Sequence, residues 1–278
     1  MVETRSPIVW ATGYDSPEGP AFDREGNLYF VNWKSSSINR IDPAGNVVEF
    51  YNTGGIPAGL AFHPDGSLWV ADEGDDIHGL MRISPDGEAE IVVNEYRGRP
   101  LNGANDLAID RNGNVYFSDP WRSSAENPVG AFYRYLPDRR LEQIDSGLQF
   151  PNGVALNADE TAVYLAETQN KHILRYEISA DGSIGPADVW GRTGEPAGPD
   201  GMAFDAEGNL YCAHYGGSWV DIFDPGGERI DEIAIPGQFV TNCAFGSPDR
   251  DVLVVTEVET ASIYAIQLQV KGQPLNDR

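Results

Sequence analysis

A short apolar motif recurs six times along the chain, and this repeat limits the possible folds more than any other feature. The copies read EGPAFD, AGLAFH, NDLAID, NGVALN, DGMAFD and TNCAFG, and they begin at Glu18, Ala58, Asn105, Asn152, Asp200 and Thr241. The steps between them are 40, 47, 47, 48 and 41 residues. Periods of this length are typical of propellers, solenoids and related arrays.

Each unit has the same internal order. The motif is an apolar strand, a turn rich in Gly, Asp and Asn follows, and a second strand such as Leu28–Val31 comes next, which is the pattern of a β-hairpin. Third and fourth strands follow in runs such as Ser37–Ile41 and Val47–Phe50. The pattern predicts an all-β, six-bladed β-propeller with four antiparallel strands per blade, forming one domain over residues 1–278.

The two ends of the chain have different predicted roles. The N-terminal strand Ile8–Trp10 is expected to complete the last blade and close the ring, whereas Lys271–Arg278 is expected to be a loose tail. A linear β-solenoid is the alternative architecture, but it normally shows shorter, more uniform repeats and distinct capping units.

Composition excludes several classes of partner. The formal net charge is −24, which argues against nucleic acid and against an anionic membrane surface, because no basic patch faces phosphates or acidic headgroups. The start of the chain has no basic region followed by an apolar run, so a cytoplasmic protein is expected, as a monomer or weak homo-oligomer. Cys212 and Cys243 lie in apolar strands, which indicates buried thiols and not a disulfide.

The first residue of each motif faces the central axis of a propeller. Four of these six residues carry oxygen donors, namely Glu18, Asn105, Asn152 and Asp200. Two carboxylates neutralise one divalent ion, and two amide oxygens add coordination without further charge. The pattern therefore predicts one divalent metal ion on the axis. Alternatively, such residues cap the turns that precede strands.

A second set of polar residues follows the second strands, which end at the same face of the propeller. These are Asn32, Asp72, Asp119, Glu167, His214 and Glu257. Trp33, Trp121 and Trp219 lie close to them in sequence. We expect substrate contacts from Asn105, Asp119, Trp121, Trp33, His214 and Trp219, although exposed strand ends are commonly polar. Neither a Cys/His zinc pattern, nor a nucleophile elbow, nor a phosphate-binding glycine loop is present in the sequence.

Several motifs in order resemble one known family. They are SPEGPAF from Ser16, NDL from Asn105, YFSDP from Tyr116, FPNGV from Phe150, GPDG from Gly198 and TNCAFG from Thr241. Over essentially its whole length the chain resembles the family of senescence marker protein (regucalcin), gluconolactonase and luciferin-regenerating enzyme. The resemblance implies a six-bladed propeller whose single divalent ion is held by residues matching Glu18, Asn105, Asn152 and Asp200.

The resemblance also implies an activity, with Asp200 as the general base and Asn105 bound to the metal, the substrate or both. Two positions depart from the animal members, since Gly103 replaces an Arg and Ser123 replaces a substrate-binding Glu. The surroundings look like those of bacterial sugar lactonases. The expected function is therefore metal-dependent opening of a small sugar lactone, with Ca²⁺ as the first candidate and Zn²⁺, Mn²⁺, Fe²⁺ or Mg²⁺ as others.

Three other functions fit the same fold. Related propellers with this ligand set hydrolyse organophosphates, and strictosidine synthase-like propellers use a different acid without the ligand ring. A non-catalytic propeller with a structural ion is the third alternative.

Overall fold

The structure is a computed structural model that describes residues 5–247 and 249–274. Over these residues it is an all-β, six-bladed propeller of four-stranded antiparallel sheets, as the repeat predicts. The first strand of the chain is β1 (Ile8–Thr12). Blade 1 contains β2 (Pro17–Phe22), β3 (Leu28–Asn32), β4 (Ser37–Ile41) and β5 (Val47–Asn52). Blade 2 contains β6 (Pro57–Phe62), β7 (Leu68–Asp72), β8 (Gly79–Ile83) and β9 (Ala89–Val93).

A two-stranded hairpin lies between blades 2 and 3, with strands β10 (Glu95–Tyr96) and β11 (Arg99–Pro100). Blade 3 contains β12 (Leu107–Ile109), β13 (Val115–Asp119), β14 (Gly130–Tyr135) and β15 (Leu141–Leu148). Blade 4 contains β16 (Pro151–Leu156), β17 (Ala162–Glu167), β18 (His172–Ile178) and β19 (Ile184–Arg192).

The last two blades finish the ring. Blade 5 contains β20 (Gly198–Phe204), β21 (Leu210–Tyr215), β22 (Trp219–Phe223) and β23 (Arg229–Ala234). Blade 6 contains β24 (Val240–Gly246), β25 (Val252–Glu257) and β26 (Ser262–Gln267). A 3-10 turn at Trp33–Ser35 is the helical element of the described residues, and no helix there is long and apolar enough to cross a membrane.

The N-terminal strand closes the ring, as predicted. β1 pairs antiparallel with β26, with Ile8 opposite Ala265 and Thr12 opposite Ser262. Blade 6 is therefore built from both ends of the chain, which joins the first and last repeats by backbone hydrogen bonds. This leaves β1 as the outer strand of that blade.

The prediction of a loose C-terminal tail is wrong for residues 271–274. Gly272 forms a β-bridge with Asp205, and the Gln273 backbone N–H donates to the Phe204 carbonyl at 3.1 Å. The Gln273 side chain also donates from Nε2 to the Leu156 carbonyl at 2.9 Å. Backbone donors and acceptors on blades 4 and 5 thus hold this segment; the remaining residues of the predicted tail, 275–278, lie outside the described part.

The repeated aromatic residues form the packing between blades. A Tyr on the second strand of one blade meets a Phe on the first strand of the next. Edge-to-face pairs with ring centroids 5.0–5.1 Å apart occur at Tyr29–Phe62, Tyr164–Phe204 and Tyr211–Phe245. This geometry is the favoured one for aromatic rings and adds to the free energy of burying them. The sequence repeat is therefore also a repeat of inter-blade contacts.

Glycine after the axial residue allows the first strands to approach one another closely. A Cβ on Gly19, whose φ is +54°, would lie 2.2 Å from the Ala58 carbonyl oxygen. A Cβ on Gly153 would lie 2.1 Å from the Asp200 carbonyl oxygen. Larger residues at these two positions would push neighbouring blades apart, so the glycines set the width of the axial channel.

Candidate active site

A cavity of about 510 Å³ opens at one end of the central axis. All six first residues of the repeated motif line it, which are Glu18, Ala58, Asn105, Asn152, Asp200 and Thr241. The volume suits a small molecule, since ligand sites typically measure about 300–1,000 Å³. The six residues that share this position in the sequence repeat therefore lie together around one cavity.

A β-bulge in five of the six blades aims these residues at the axis. The register between first and second strands shifts at Glu18–Ala21, Pro57–Leu60, Pro151–Val154, Pro199–Met202 and Val240–Asn242. A bulge inserts extra backbone into one strand and redirects its side chains, which is why bulges are common beside functional sites. In blade 3 the strand begins only at Leu107, so Asn105 lies in the segment before it.

Glu18 is buried and held by the neighbouring blade. Asn242 donates from Nδ2 to Glu18 Oε1 at 2.8 Å, and Thr256 donates from Oγ1 to Oε2 at 3.4 Å. Burial raises the pKa of Glu18 to about 8, and the negative charge of Asp106 adds to this rise. A carboxylate in this position needs a cation nearby to be stable in its ionised form.

Asp200 has the same requirement. Burial raises its pKa well above the usual range, and repulsion from Glu18, Asp106 and Glu73 contributes in the same direction. None of the residues that line the cavity is a Lys, Arg or His. The concentration of buried carboxylates without a positive side chain in the lining is an unfavourable arrangement that one bound cation relieves.

The two axial asparagines differ in their contacts. Asn105 donates from Nδ2 to Glu73 Oε1 at 2.8 Å, which leaves its Oδ1 for another partner. Asn152 is buried, with 5 % of its surface exposed, and its side chain has no hydrogen-bond partner among the residues that the structure describes. Both amide oxygens are thus available beside Glu18 and Asp200.

This set of donors fits a divalent ion. Two carboxylates and two carboxamides supply oxygen ligands with a combined charge of −2, as hard cations such as Ca²⁺ require. Burial raises the pKa of Glu18 and Asp200, and a cation bound beside them would favour the ionised form of both groups. Among the described residues no group of three or more His, Cys, Asp or Glu side chains could hold a metal.

Aromatic and apolar side chains form much of the cavity wall. Trp33 and Trp121, which the sequence selected as substrate contacts, both line it. Phe150, Tyr215 and Ile56 line it as well. Flat rings over an oxygen-rich floor suit a small cyclic molecule with one polar edge.

The structure does not bring Asp119, His214 or Trp219 to the lining of the cavity. The two carboxylate oxygens of Asp119 accept the backbone N–H groups of Gly103 at 2.7 Å and Asn102 at 3.0 Å, so this residue caps a loop. The predicted substrate contact through Asp119 therefore has no geometric support.

His214 and Trp219 belong to a buried cluster in blade 5. His214 Nδ1 and Asp221 Oδ2 are 2.7 Å apart, and the Trp219 indole donates to Asp221 Oδ1 at 2.8 Å. The rings of His214 and Trp219 are in contact, with centroids 4.7 Å apart. Neither ring lines the cavity, so their prediction as substrate contacts is likewise unsupported. His214 Nε2 is buried without a hydrogen-bond partner among the described residues.

Sequence reasoning missed Glu73 and Asn242. Glu73 lines the cavity, is 7 % exposed and contacts Asn105. Burial raises its pKa to about 7, and Asp72 and Asp119 add repulsion. The signal was a second acidic residue directly after Asp72; for Asn242 it was an amide where four other repeats have glycine.

The two positions that depart from the animal family members also have structural roles. A Cβ on Gly103 would lie 2.8 Å from the Trp121 Cβ and 3.1 Å from the Glu73 Cα, so a side chain is excluded there. Ser123 is 6 % exposed and donates from Oγ to the Leu148 carbonyl at 2.6 Å. It also accepts the backbone N–H of Gly130 and therefore stabilises a loop outside the cavity lining.

Comparisons with known proteins identify the family of this chain. Residues 16–259 match the family model described as the SMP-30/Gluconolactonase/LRE-like region. A gluconolactonase from Zymomonas mobilis is 31% identical, over 91% of this chain and 80% of its own length. A diisopropyl-fluorophosphatase from Loligo vulgaris is 32% identical, over 96% of this chain and 94% of its own.

Solved structures show the same fold. A calcium-binding regucalcin from Agrobacterium tumefaciens superposes with a TM-score of 0.85 at 23% identity, covering 98% of this chain and 97% of its own. At this identity the likeness concerns the fold. Together with the sequence match over residues 16–259, it shows that the chain belongs to the SMP-30/gluconolactonase/LRE-like family.

Proposed function

We propose that the protein is a divalent-metal-dependent hydrolase that opens a small sugar lactone. The observation that carries the proposal is the convergence of Glu18, Asn105, Asn152 and Asp200 on one cavity with aromatic walls. Two buried carboxylates and two amide oxygens are ligands for a cation. Relatives named gluconolactonase support the choice of a lactone as substrate.

The metal would be held by these four side chains. When bound, it would polarise the lactone carbonyl and lower the pKa of a water molecule. Ca²⁺ is our first candidate because all donors are oxygen atoms, and Mn²⁺, Mg²⁺, Zn²⁺ and Fe²⁺ accept the same ligands.

The side chains of the cavity would transfer the proton and hold the substrate. Asp200 accepts the proton of the water whose oxygen attacks the carbonyl carbon, and the same proton then passes to the ring oxygen as the ester C–O bond breaks. Trp33 and Trp121 lie on the wall and pack against the ring of the substrate. Holding both reactants in this cavity removes much of the entropic cost of bringing them together.

A second candidate function is hydrolysis of organophosphate esters. The wall residues Ile56, Ala58, Ala197 and Phe150 are apolar, which fits a substrate with few hydroxyl groups. A relative named diisopropyl-fluorophosphatase, which aligns with 96% of this chain, supports this alternative. Both reactions need the same polarised, electron-poor centre.

Substrate assays with and without a chelator separate these functions. Purified protein is given a panel of aldonolactones and a phosphotriester, each with added Ca²⁺ or Mn²⁺ and each after treatment with EDTA. We expect lactone opening that EDTA abolishes and that added metal restores. Faster turnover of the phosphotriester favours the second candidate. Cation binding without hydrolysis of either class would overturn the enzymatic proposal in favour of a structural ion, and hydrolysis that persists in EDTA would overturn the metal requirement.

A further inference from the structure

Two of the four axial ligand residues are held by a side chain from an adjacent blade. Asn242 of blade 6 donates to Glu18 of blade 1. Glu73, which directly follows β7 of blade 2, accepts from Asn105, which precedes the first strand of blade 3. Asn152 and Asp200 have no such side-chain partner among the residues that the structure describes. The site therefore has two oriented ligands and two freer ones.

The contact with Glu73 determines which end of the Asn105 carboxamide faces the axis. An asparagine side chain carries a donor NH₂ at one end and an acceptor oxygen at the other. Because Nδ2 donates to Glu73 Oε1 at 2.8 Å, Oδ1 is directed away from Glu73. Rotation of the amide by half a turn would place the NH₂ group where a cation needs an oxygen.

Glu73 is itself fixed by its surroundings. Its backbone N–H donates to the Ile56 carbonyl at 2.9 Å, and only 7 % of the residue is exposed. Gly103 approaches its backbone closely, since a Cβ on Gly103 would lie 3.1 Å from the Glu73 carbonyl oxygen. These contacts hold the backbone that carries the carboxylate, and burial limits the space in which the side chain can move.

We propose that Glu73 is a positioning residue that keeps the Asn105 carbonyl oxygen directed at the axial cation site. The inference rests on the proposed metal-dependent function and adds a specific role for a residue outside the ligand set. Partners that orient metal ligands typically change metal affinity by about 10–100-fold when they are removed.

Two variants separate hydrogen bonding from charge. Glu73→Gln keeps an oxygen acceptor of the same length, whereas Glu73→Met removes the acceptor at similar volume. We expect Ca²⁺ affinity, measured by isothermal titration calorimetry on the full chain, to fall less than about 3-fold for Gln and about 10–100-fold for Met. Glu25→Met removes the same charge from an exposed turn and serves as the matched control. Equal losses in Gln and Met would show that charge is responsible and would overturn the proposal.

A double-mutant cycle tests whether Glu73 acts through Asn105. In an Asn105→Ala background, Glu73→Met should change Ca²⁺ affinity no further, because the group that it orients is gone. The same loss in both backgrounds would overturn the inference. Circular dichroism checks the fold, and Glu73→Ala replaces the Met variant if that variant does not fold.

The wild-type titration distinguishes the inference from the proposed function. If the wild type binds neither Ca²⁺ nor Mn²⁺, the proposed metal-dependent function fails and the inference fails with it. If the wild type binds the cation and Glu73→Met binds it equally well, only the inference fails.

Discussion

The inner and outer rings of polar residues in this propeller look alike in sequence but differ in the structure. The inner ring comprises Glu18, Asn105, Asn152 and Asp200, and its members line the cavity. The outer ring comprises six polar residues at or next to the ends of the second strands, Asn32, Asp72, Asp119, Glu167, His214 and Glu257. None of the outer six lines the cavity.

Hydrogen bonding explains the difference. Five of the six outer residues accept backbone N–H groups from nearby loops, as Asp72 does from Ile56 at 2.9 Å and Gly74 at 2.8 Å. Their acceptors are already used to hold loops. The inner ring retains oxygen atoms that face the cavity, so its repeated polar residues are available for a ligand.

The largest effect is expected at Asp200 of the inner ring. Asp200→Asn keeps the volume and one carbonyl oxygen but removes the proton acceptor, so we expect lactone hydrolysis to fall by about 10²–10⁴-fold. The rate is measured at cation concentrations shown by calorimetry to fill the site. Full recovery under these conditions would mean that Asp200 is only a ligand.

Asn152→Ala provides the comparison within the inner ring. This change removes one amide oxygen and no proton acceptor, so it should chiefly weaken cation binding. Excess cation should then restore much of the activity, in contrast to Asp200→Asn. The measurement is the activity of both variants as a function of Ca²⁺ or Mn²⁺ concentration. If excess cation does not restore the activity of Asn152→Ala, the two variants do not separate cation binding from proton transfer.

In the outer ring the expected effect is on stability. Glu257 accepts the backbone N–H groups of Phe239 at 2.9 Å, Glu259 at 3.0 Å and Thr260 at 2.6 Å. Glu257→Ala leaves these partly buried donors without their acceptor, and because water reaches some of them we expect a total loss of about 1–3 kcal/mol. Urea unfolding should show the loss, while hydrolysis per folded molecule stays near the wild-type value. A large loss of hydrolysis in fully folded Glu257→Ala would place the outer ring in the chemistry.

Removal of the cation should destabilise the protein through the inner ring. Burial and mutual repulsion disfavour the charged forms of Glu18 and Asp200, and a cation offsets both effects. A ligand at 100 times its dissociation constant adds about 2.7 kcal/mol to the free energy of unfolding. Thermal melts with EDTA and with excess Ca²⁺ should differ accordingly, and identical melts would contradict a cation at this site.

The smallest effect is expected at the two thiols. Cys212 and Cys243 are buried and form no disulfide. Burial raises the pKa of both thiols, so neither should form a reactive thiolate near neutral pH. Ellman's reagent should label them only after denaturation, with or without bound cation. Rapid labelling of the native protein would contradict their burial between the blades.

The sequence by itself determined the propeller and its axis. The repeat, the hairpin turns and the alternation of strands are local patterns, and each blade presents the start of its first strand to the same axis. Glu18, Asn105, Asn152 and Asp200 could therefore be selected from their register alone. The closing strand was also predictable, because β1 supplies the fourth strand that the last repeat lacks.

Only the tertiary structure decided which other polar residues reach the cavity. Asp119 is the last residue of β13 and Glu73 directly follows β7, so both lie at the end of a second strand. The loop before Asn105 nevertheless donates to both oxygens of Asp119, and Asn105 itself contacts Glu73. Asn242 meets Glu18 because ring closure places residues 224 positions apart in contact. Gln273 likewise pairs with blades that lie far from it in sequence. Such contacts depend on how loops and blades meet in space, and no periodicity within one repeat encodes them.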